Sequence, residues 1–282
     1  MNDFDPPAGI VHDVVRRALD EDFGVLGDIT TIATVEEHAA GRATFRARSA
    51  GVVAGTRVAA EVFAQLSSDV DVVWQAHDGD EVEPGTVLGT VKGPLRPILG
   101  GERTSLNFLC HCSGVATATR RFVRTARGKV RLRDTRKTLP GLRALQKAAV
   151  RAGGGFNHRE SLSDAVLIKD NHLTQMALEA AVDRVRARWP GRPVEVECDT
   201  IEQVAEARRA GAEIVLLDNM SPTDVAGCVA LIDGSAYVEI SGGVDVDNLG
   251  EYLNTGADFV AVGSITHSAR ALDIGLDVEV GG

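Results

Sequence analysis

From residue 128 onward the chain repeats one kind of unit. Short runs rich in β-branched residues each end in a polar or glycine position, and an amphipathic segment follows. The runs are KVRLRDT (129–135), AVLIKD (165–170), VEVECD (194–199), IVLLDN (214–219), YVEISGG (237–243) and FVAVGS (259–264). The last four begin at residues 194, 214, 237 and 259, a spacing that suits one strand and one helix each. Segments between them, such as LTQMALEAAVDRVRARW and IEQVAEARRAGA, place apolar residues about 3.6 positions apart. Near-continuous apolar strands alternating with helices predict a parallel sheet covered by helices. Six evident units, fewer than a regular barrel has, predict an α/β barrel that is incomplete or irregular.

The chain is written differently before residue 115. ATFRARSAGVVAGT and DVDVVWQAHDGDEVEPGTVLGTVKG are β-rich, with turn signals at Gly51, Gly55, Asp78-Gly79 and Pro84-Gly85. DGDEVEPGTVLGTV reads as a hairpin like those of biotinyl and lipoyl carrier domains, but no lysine stands where a carrier is modified, so a structural sheet is expected. Residues 97–127 read as two helices broken near Ser113-Gly114. We expect an N-terminal domain over 1–115 and a barrel over 116–269, with 270–282 packing back on the first domain. Cys110, Cys112, Cys198 and Cys228 are too few for a disulfide framework, and reduced thiols are expected. Cys110-His111-Cys112 lies in a helical stretch, where positions i and i+2 diverge, so it does not read as a zinc site. MNDFDPPAGI lacks the basic-then-apolar order of a secretory signal, and no apolar run approaches the ~20 residues of a membrane span, so the cytoplasm is expected.

Charge narrows the function. The formal net charge is −10, yet residues 120–159 hold 13 Lys and Arg against one acid, Asp134. A nucleic-acid surface would explain the run, but the overall charge is wrong and aromatic residues for base stacking make up only 4% of the chain. A small polyanion is the better fit, because the cations fall at strand ends, where barrel enzymes place their reactive groups. Arg136, Lys137, His158, Arg159 and Lys169 lie at or beside such ends, and several cations facing one pocket repel one another unless a multivalent anion joins them. His158 taken alone reads better as a structural histidine. Arg143, Lys147 and Arg151, at i, i+4 and i+8 of a helix opened by Pro140 and closed by Gly153, read as a solvated or subunit-facing stripe. Glu197 and Asp218 end consecutive strands, either to accept from sugar hydroxyls or to serve a metal directly or through its waters. Glu195 shares the face of Glu197 but lies deeper, as a pocket acid or as a buried partner for a cation. Ser241-Gly242-Gly243 and Gly263-Ser264 expose backbone N–H groups after the last two strands, where barrels bind phosphate.

These residues carry a resemblance. RDTRKTLPGLRALQKAAVRAGGGFNHR, then LIKDNH, VEVECD, LLDN, EISGG and VGSITHS, resemble the quinolinate phosphoribosyltransferases, and DEDFGVLGDITT, AGVVAG and ERTSLNFL extend the likeness through the N-terminal half. The resemblance implies an N-terminal α/β sandwich domain with an open α/β barrel of about seven parallel strands. The strand not evident above is expected within 138–155 or near Val115. It also implies conversion of quinolinate and phosphoribosyl pyrophosphate to nicotinate mononucleotide, pyrophosphate and CO₂, with Mg²⁺ and no organic cofactor. By the same resemblance Arg136, Arg159 and Lys169, with Thr135 and His158, bind the dicarboxylate. Lys137, Glu197 and Asp218 surround phosphoribosyl pyrophosphate, and Ser241, Gly242, Gly243, Gly263, Ser264, Ile265 and His267 cradle its phosphate. Lys137, Lys169, Glu197 and Asp218 are then the residues nearest the chemistry. Arg103 is expected to reach into a neighbouring subunit, making a homodimer the active unit, with a hexamer as a larger assembly. Neither nucleic acid nor membrane is an expected partner. A relative of the same fold acting on nicotinate, or a molybdenum-operon homologue, is the alternative.

Overall fold

The computed structural model describes residues 5–280. Twelve strands occur among them: β1 (Ala40–Ala47), β2 (Gly51–Val52), β3 (Asp71–Trp74), β4 (Glu81–Val82), β5 (Val87–Pro94), β6 (Arg131–Arg133), β7 (Val166–Ile168), β8 (Val194–Cys198), β9 (Ile214–Asp218), β10 (Tyr237–Ser241), β11 (Phe259–Ala261) and β12 (Ile274–Val280). They fall in two compact units. One runs to Arg120 and includes Thr138–Gly154 and the chain from Thr266 onward; the other is Arg121–Lys137 with Gly155–Ile265.

The first unit is built on an antiparallel sheet ordered β12-β1-β5-β3. Alternation along β1 buries Ala43, Phe45 and Ala47, and Phe45 stacks on Trp74 with ring centroids 5.1 Å apart. Helices Ala8–Phe23 and Thr56–Leu66 pack together, burying Val11, Val14, Val15 and Leu19 of one and Val58, Ala59, Val62 and Phe63 of the other. The hairpin expected over DGDEVEPGTVLGTV does not form. Its first arm, β4, pairs with β2, while its second, β5, pairs with β1 and β3. The turn between them explains the parting: Gly85 N–H donates to the Ala47 carbonyl at 2.8 Å, drawing β5 onto β1.

A second correction concerns Ser113-Gly114. One unbroken helix spans Leu95–Ala126. Ser113 Oγ accepts the Ala54 N–H at 3.0 Å, and a Cβ on Gly114 would overlap the Arg270 carbonyl oxygen. The pair marks a close crossing of two chain segments, not a helix break. Gly114→Ala should therefore destabilise the protein by about 1–3 kcal/mol. At about 2–4 °C per kcal/mol for a chain of this size, thermal unfolding should show a clear fall in Tm. An unchanged Tm would refute this account of Gly114.

The second unit carries a six-stranded parallel sheet ordered β6-β11-β10-β9-β8-β7. All six sequence runs became strands, each shorter than its run because the polar ends turn into loops. The further strand lies in neither expected place: Arg143–Ala152 is helix and Val115 sits within the long helix. A seventh sheet position survives only as one parallel bridge, Phe156 beside Arg133. The charged stripe also needs correction. Lys147 is only 2% exposed, within the buried run Leu145–Val150, while Arg143 and Arg151 at the helix ends are half-buried.

Candidate active site

Strand register decides which side chains meet. Pairing aligns Leu167 with Glu195, Glu197 with Leu216, Leu216 with Glu239, Asp218 with Ser241, Glu239 with Phe259, and Ala261 with Arg133. With a side-chain period of two, residues aligned in this way share one face of the sheet. The upper layer, at the C-terminal strand ends, holds Lys169, Glu197, Asp218 and Ser241. Two residues back along their own strands from Glu197, Ser241, Ala261 and Thr135 stand Glu195, Glu239, Phe259 and Arg133.

The upper layer lines a cavity of about 370 Å³ with Thr135, Arg136, Lys137, His158, Arg159, Leu167, Leu216 and Ala261. That is within the usual size of a small-molecule site, about 300–1,000 Å³. Nine of the sequence-predicted residues thus come together. Lys169 Nζ is paired with Glu197 Oε2, and Asn219 Nδ2 donates to Asp218 Oδ2 at 2.8 Å. Gly242, Gly243, Gly263, Ser264 and Ile265 follow β10 and β11 at the same sheet end but do not line the cavity. Gly242 and Gly243 have φ of +83° and +65°, and a Cβ on Gly242 would collide with the Asn219 side chain. Ile265 is buried, which leaves its backbone as the group it can offer. Arg103 and His267 belong to the first unit, both exposed, and His267 Nδ1 pairs with Ser268 Oγ at 2.6 Å.

The cations are positioned by buried acids. Asp134 is fully buried; its carboxylate accepts the His158 N–H at 2.8 Å and Asn157 Nδ2 at 2.6 Å. Together with the Phe156 bridge this ties the arm 156–159 to the end of β6. Beneath the arm, His158 Nε2 meets Glu195 Oε2 at 2.9 Å, and Arg133 Nη1 donates to Glu239 Oε2 at 2.5 Å while stacking on the Phe259 ring at 3.7 Å. Glu195 is thus the buried partner of a cation-forming group, one of the two roles its position allowed. Burial, then the neighbouring Glu195 charge, pushes the Glu239 carboxyl up to about 7. Burial opposes charge on His158, but the hydrogen bond and charge of Glu195 outweigh it and raise its pKa. Arg159 is pulled the other way, by burial and then by the adjacent Arg136 charge.

Ligand atoms of His158, Glu195 and Glu239 lie within 4.8 Å of one another, a grouping that suits a metal. The Arg133 guanidinium already supplies the positive charge there. Arg133, Asp134, Asn157 and Glu239 were not singled out as site residues from sequence. Asp134 carried a signal, as the lone acid of the basic stretch, and Glu239 shared the inward parity of Ser241. The cysteines are free, and burial pushes the Cys112 and Cys198 thiols up to about 12, far from a reactive state.

An open parallel α/β barrel whose mouth gathers cations, two carboxylates and glycine loops, in one chain with an antiparallel-sheet unit, suits an enzyme of small anionic substrates. Comparison with known proteins specifies which kind. Residues 28–113 match the description "Quinolinate phosphoribosyl transferase, N-terminal domain" and residues 115–277 its C-terminal domain. A nicotinate-nucleotide pyrophosphorylase [carboxylating] of Mycobacterium leprae is 45% identical over 274 residues, covering 94% of this chain and 96% of that protein. A probable nicotinate-nucleotide pyrophosphorylase [carboxylating] of Bacillus subtilis is 39% identical, covering 92% and 90%. The structure of the nicotinate-nucleotide pyrophosphorylase from Francisella tularensis superposes with a TM-score of 0.92 at 38% identity, over 98% of both chains. The chain belongs to the quinolinate phosphoribosyl transferase family.

Proposed function

We propose that this enzyme transfers the phosphoribosyl group of phosphoribosyl pyrophosphate to quinolinate with loss of CO₂, giving nicotinate mononucleotide and pyrophosphate. One observation carries the reading: Arg136, Arg159 and Lys169 share a cavity with Glu197, Asp218 and Ser241. Three cations in a small pocket answer a dicarboxylate, and Thr135 and His158 complete that wall. The adjacent carboxylates and the loops 241–243 and 263–265 suit a phosphorylated sugar, with His267 assigned beside the phosphate. Lys137, exposed at the rim, faces the leaving pyrophosphate.

The chemistry follows from charge. The C1–O bond to pyrophosphate breaks, and the pyridine nitrogen takes the oxocarbenium-like C1. Quinolinate's nitrogen has no proton to remove, so no general base is needed. The resulting pyridinium accepts the electron pair of the C2–carboxylate bond as CO₂ leaves, and C2 takes a proton. Lys137 stabilises charge growing on the departing pyrophosphate, and the fixed cations hold two anionic substrates in register. Glu197 and Asp218 are hard oxygen donors at strand ends and fit Mg²⁺, to which they are assigned directly or through water. When bound, Mg²⁺ adds charge neutralisation on the pyrophosphate. No organic cofactor is assigned. We also assign the active unit to a homodimer with Arg103 entering the neighbouring site. Exposed Val25, Leu26, Ile29 and Ile32 on the first unit support a contact between copies. Among the described residues no helix is long and apolar enough to cross a membrane.

The test is an assay with quinolinate, phosphoribosyl pyrophosphate and Mg²⁺, with nicotinate in parallel. Equal amounts of nicotinate mononucleotide and CO₂ from quinolinate, abolished by EDTA, are expected. Product from nicotinate alone would overturn the substrate assignment.

A further inference from the structure

We propose that Glu195 sets quinolinate affinity without touching the substrate, as a positioning residue that holds His158 in one tautomer and, through it, Arg159 in the pocket wall. This rests on the reading of the pocket as a dicarboxylate site. His158 lines the pocket, but both its ring nitrogens are engaged within the protein, so the imidazole serves the wall by orienting an arginine.

The geometry determines the imidazole. The Arg159 backbone N–H donates to His158 Nδ1 at 2.7 Å, so Nδ1 carries a lone pair. The ring proton is therefore on Nε2, which donates to Glu195 Oε2 at 2.9 Å. Both nitrogens are engaged inside the protein. The Glu195 charge favours the protonated ring, but a doubly protonated ring would set two N–H groups against each other at Nδ1, and this backbone contact decides for the neutral form. Glu239 Oε1, at 3.7 Å from Nε2, is beyond hydrogen-bond reach and is held by Arg133 on its other oxygen. Glu195 is thus the orienting partner. It is 3% exposed and lies one strand layer below Glu197, out of the cavity lining.

The arm needs such an anchor. Asp134 fixes residues 157 and 158, but the amide of Arg159 itself is held by the His158 ring. Its guanidinium reaches back to the Ala165 carbonyl at 3.2 Å. Without Glu195, Nε2–H would lose its acceptor in a buried place, the ring would turn to find another, and the Arg159 amide would lose its partner. Leaving a buried donor without its acceptor is enough to change affinity roughly 5–150-fold.

Glu195→Ala should raise KM for quinolinate about 10-fold or more while KM for phosphoribosyl pyrophosphate and kcat at saturating quinolinate stay within about threefold. Glu195→Gln should restore most of the affinity, because its amide oxygen still accepts the Nε2–H. An equal rise in both KM values, a loss confined to kcat, or no rescue by Gln would overturn the proposal. An independent readout is the ¹⁵N spectrum of His158 in the wild-type enzyme at neutral pH. Protonated Nε2 with bare Nδ1 is expected; an imidazolium or the opposite tautomer would overturn the proposal. That spectrum needs neither turnover nor a folded variant. Wild-type enzyme that ignores quinolinate would defeat the proposed substrate, while the spectrum would still decide the tautomer.

Discussion

Arg136→Ala should lose quinolinate while keeping phosphoribosyl pyrophosphate. Arg136 and Arg159 line the same cavity, and after burial the Arg136 charge is what depresses the Arg159 pKa, so the pocket holds two cations in mutual repulsion. A dicarboxylate relieves that repulsion and is gripped by planar guanidinium groups that can each make two parallel bonds. Removing one partner of such a charge pair costs about 2–5 kcal/mol. Titration calorimetry should then show the quinolinate Kd rising at least about 30-fold, since each 1.4 kcal/mol is tenfold. Affinity for phosphoribosyl pyrophosphate should change by less than about threefold, because its assigned contacts, apart from the neighbouring Lys137, lie on other strand ends. Arg136→Lys should recover only part of the loss, since an ammonium keeps the charge but not the fork. Unaltered quinolinate affinity in Arg136→Ala would end the assignment of that residue.

The six barrel strands were legible because a strand buried on both faces must be apolar on both, and a run such as IVLLD has few other places to go. Most of the pocket was legible for a related reason: polar residues that close an apolar run must sit at its end. Local signals failed where tertiary contacts decided the outcome. Ser113-Gly114 has the composition of a helix break, yet there the glycine admits the Arg270 backbone and the serine bonds to Ala54. Lys147 follows a solvated periodicity, but burial around its helix overrides it. The seventh strand is one bridge at Phe156, and a single residue has no periodicity to detect. The lower acid layer was half visible. Glu195 and Glu239 share inward parity with Glu197 and Ser241, but pairing them with His158 and Arg133 required knowing which strands are neighbours.

The lone acid of the basic stretch supplies the second large effect. Asp134 is buried among cations, but its carboxylate is directed at the arm: it takes the His158 N–H and the Asn157 amide, and the Phe156 carbonyl takes its own N–H at 3.1 Å. Asp134→Ala would strand two buried donors that now reach a charged acceptor, at a cost of roughly 2–4 kcal/mol. At about 2–4 °C per kcal/mol, Tm should fall by roughly 5–15 °C. The same change frees residues 157–159, so KM for quinolinate should rise in the molecules that remain folded. Asp134→Asn separates the two consequences. Its carbonyl oxygen still accepts the His158 N–H, and Asn157 can turn its amide so that its oxygen accepts from the new amide N–H. That variant should regain most of the lost stability and much of the quinolinate affinity. A stable Asp134→Ala enzyme with normal quinolinate KM would mean that the arm is held by something else. The acid is there because the basic pocket needs a fixed wall: Arg136, Arg159 and Lys169 line it, and one buried carboxylate keeps the arm that carries two of the pocket's residues, His158 and Arg159, where the substrate arrives.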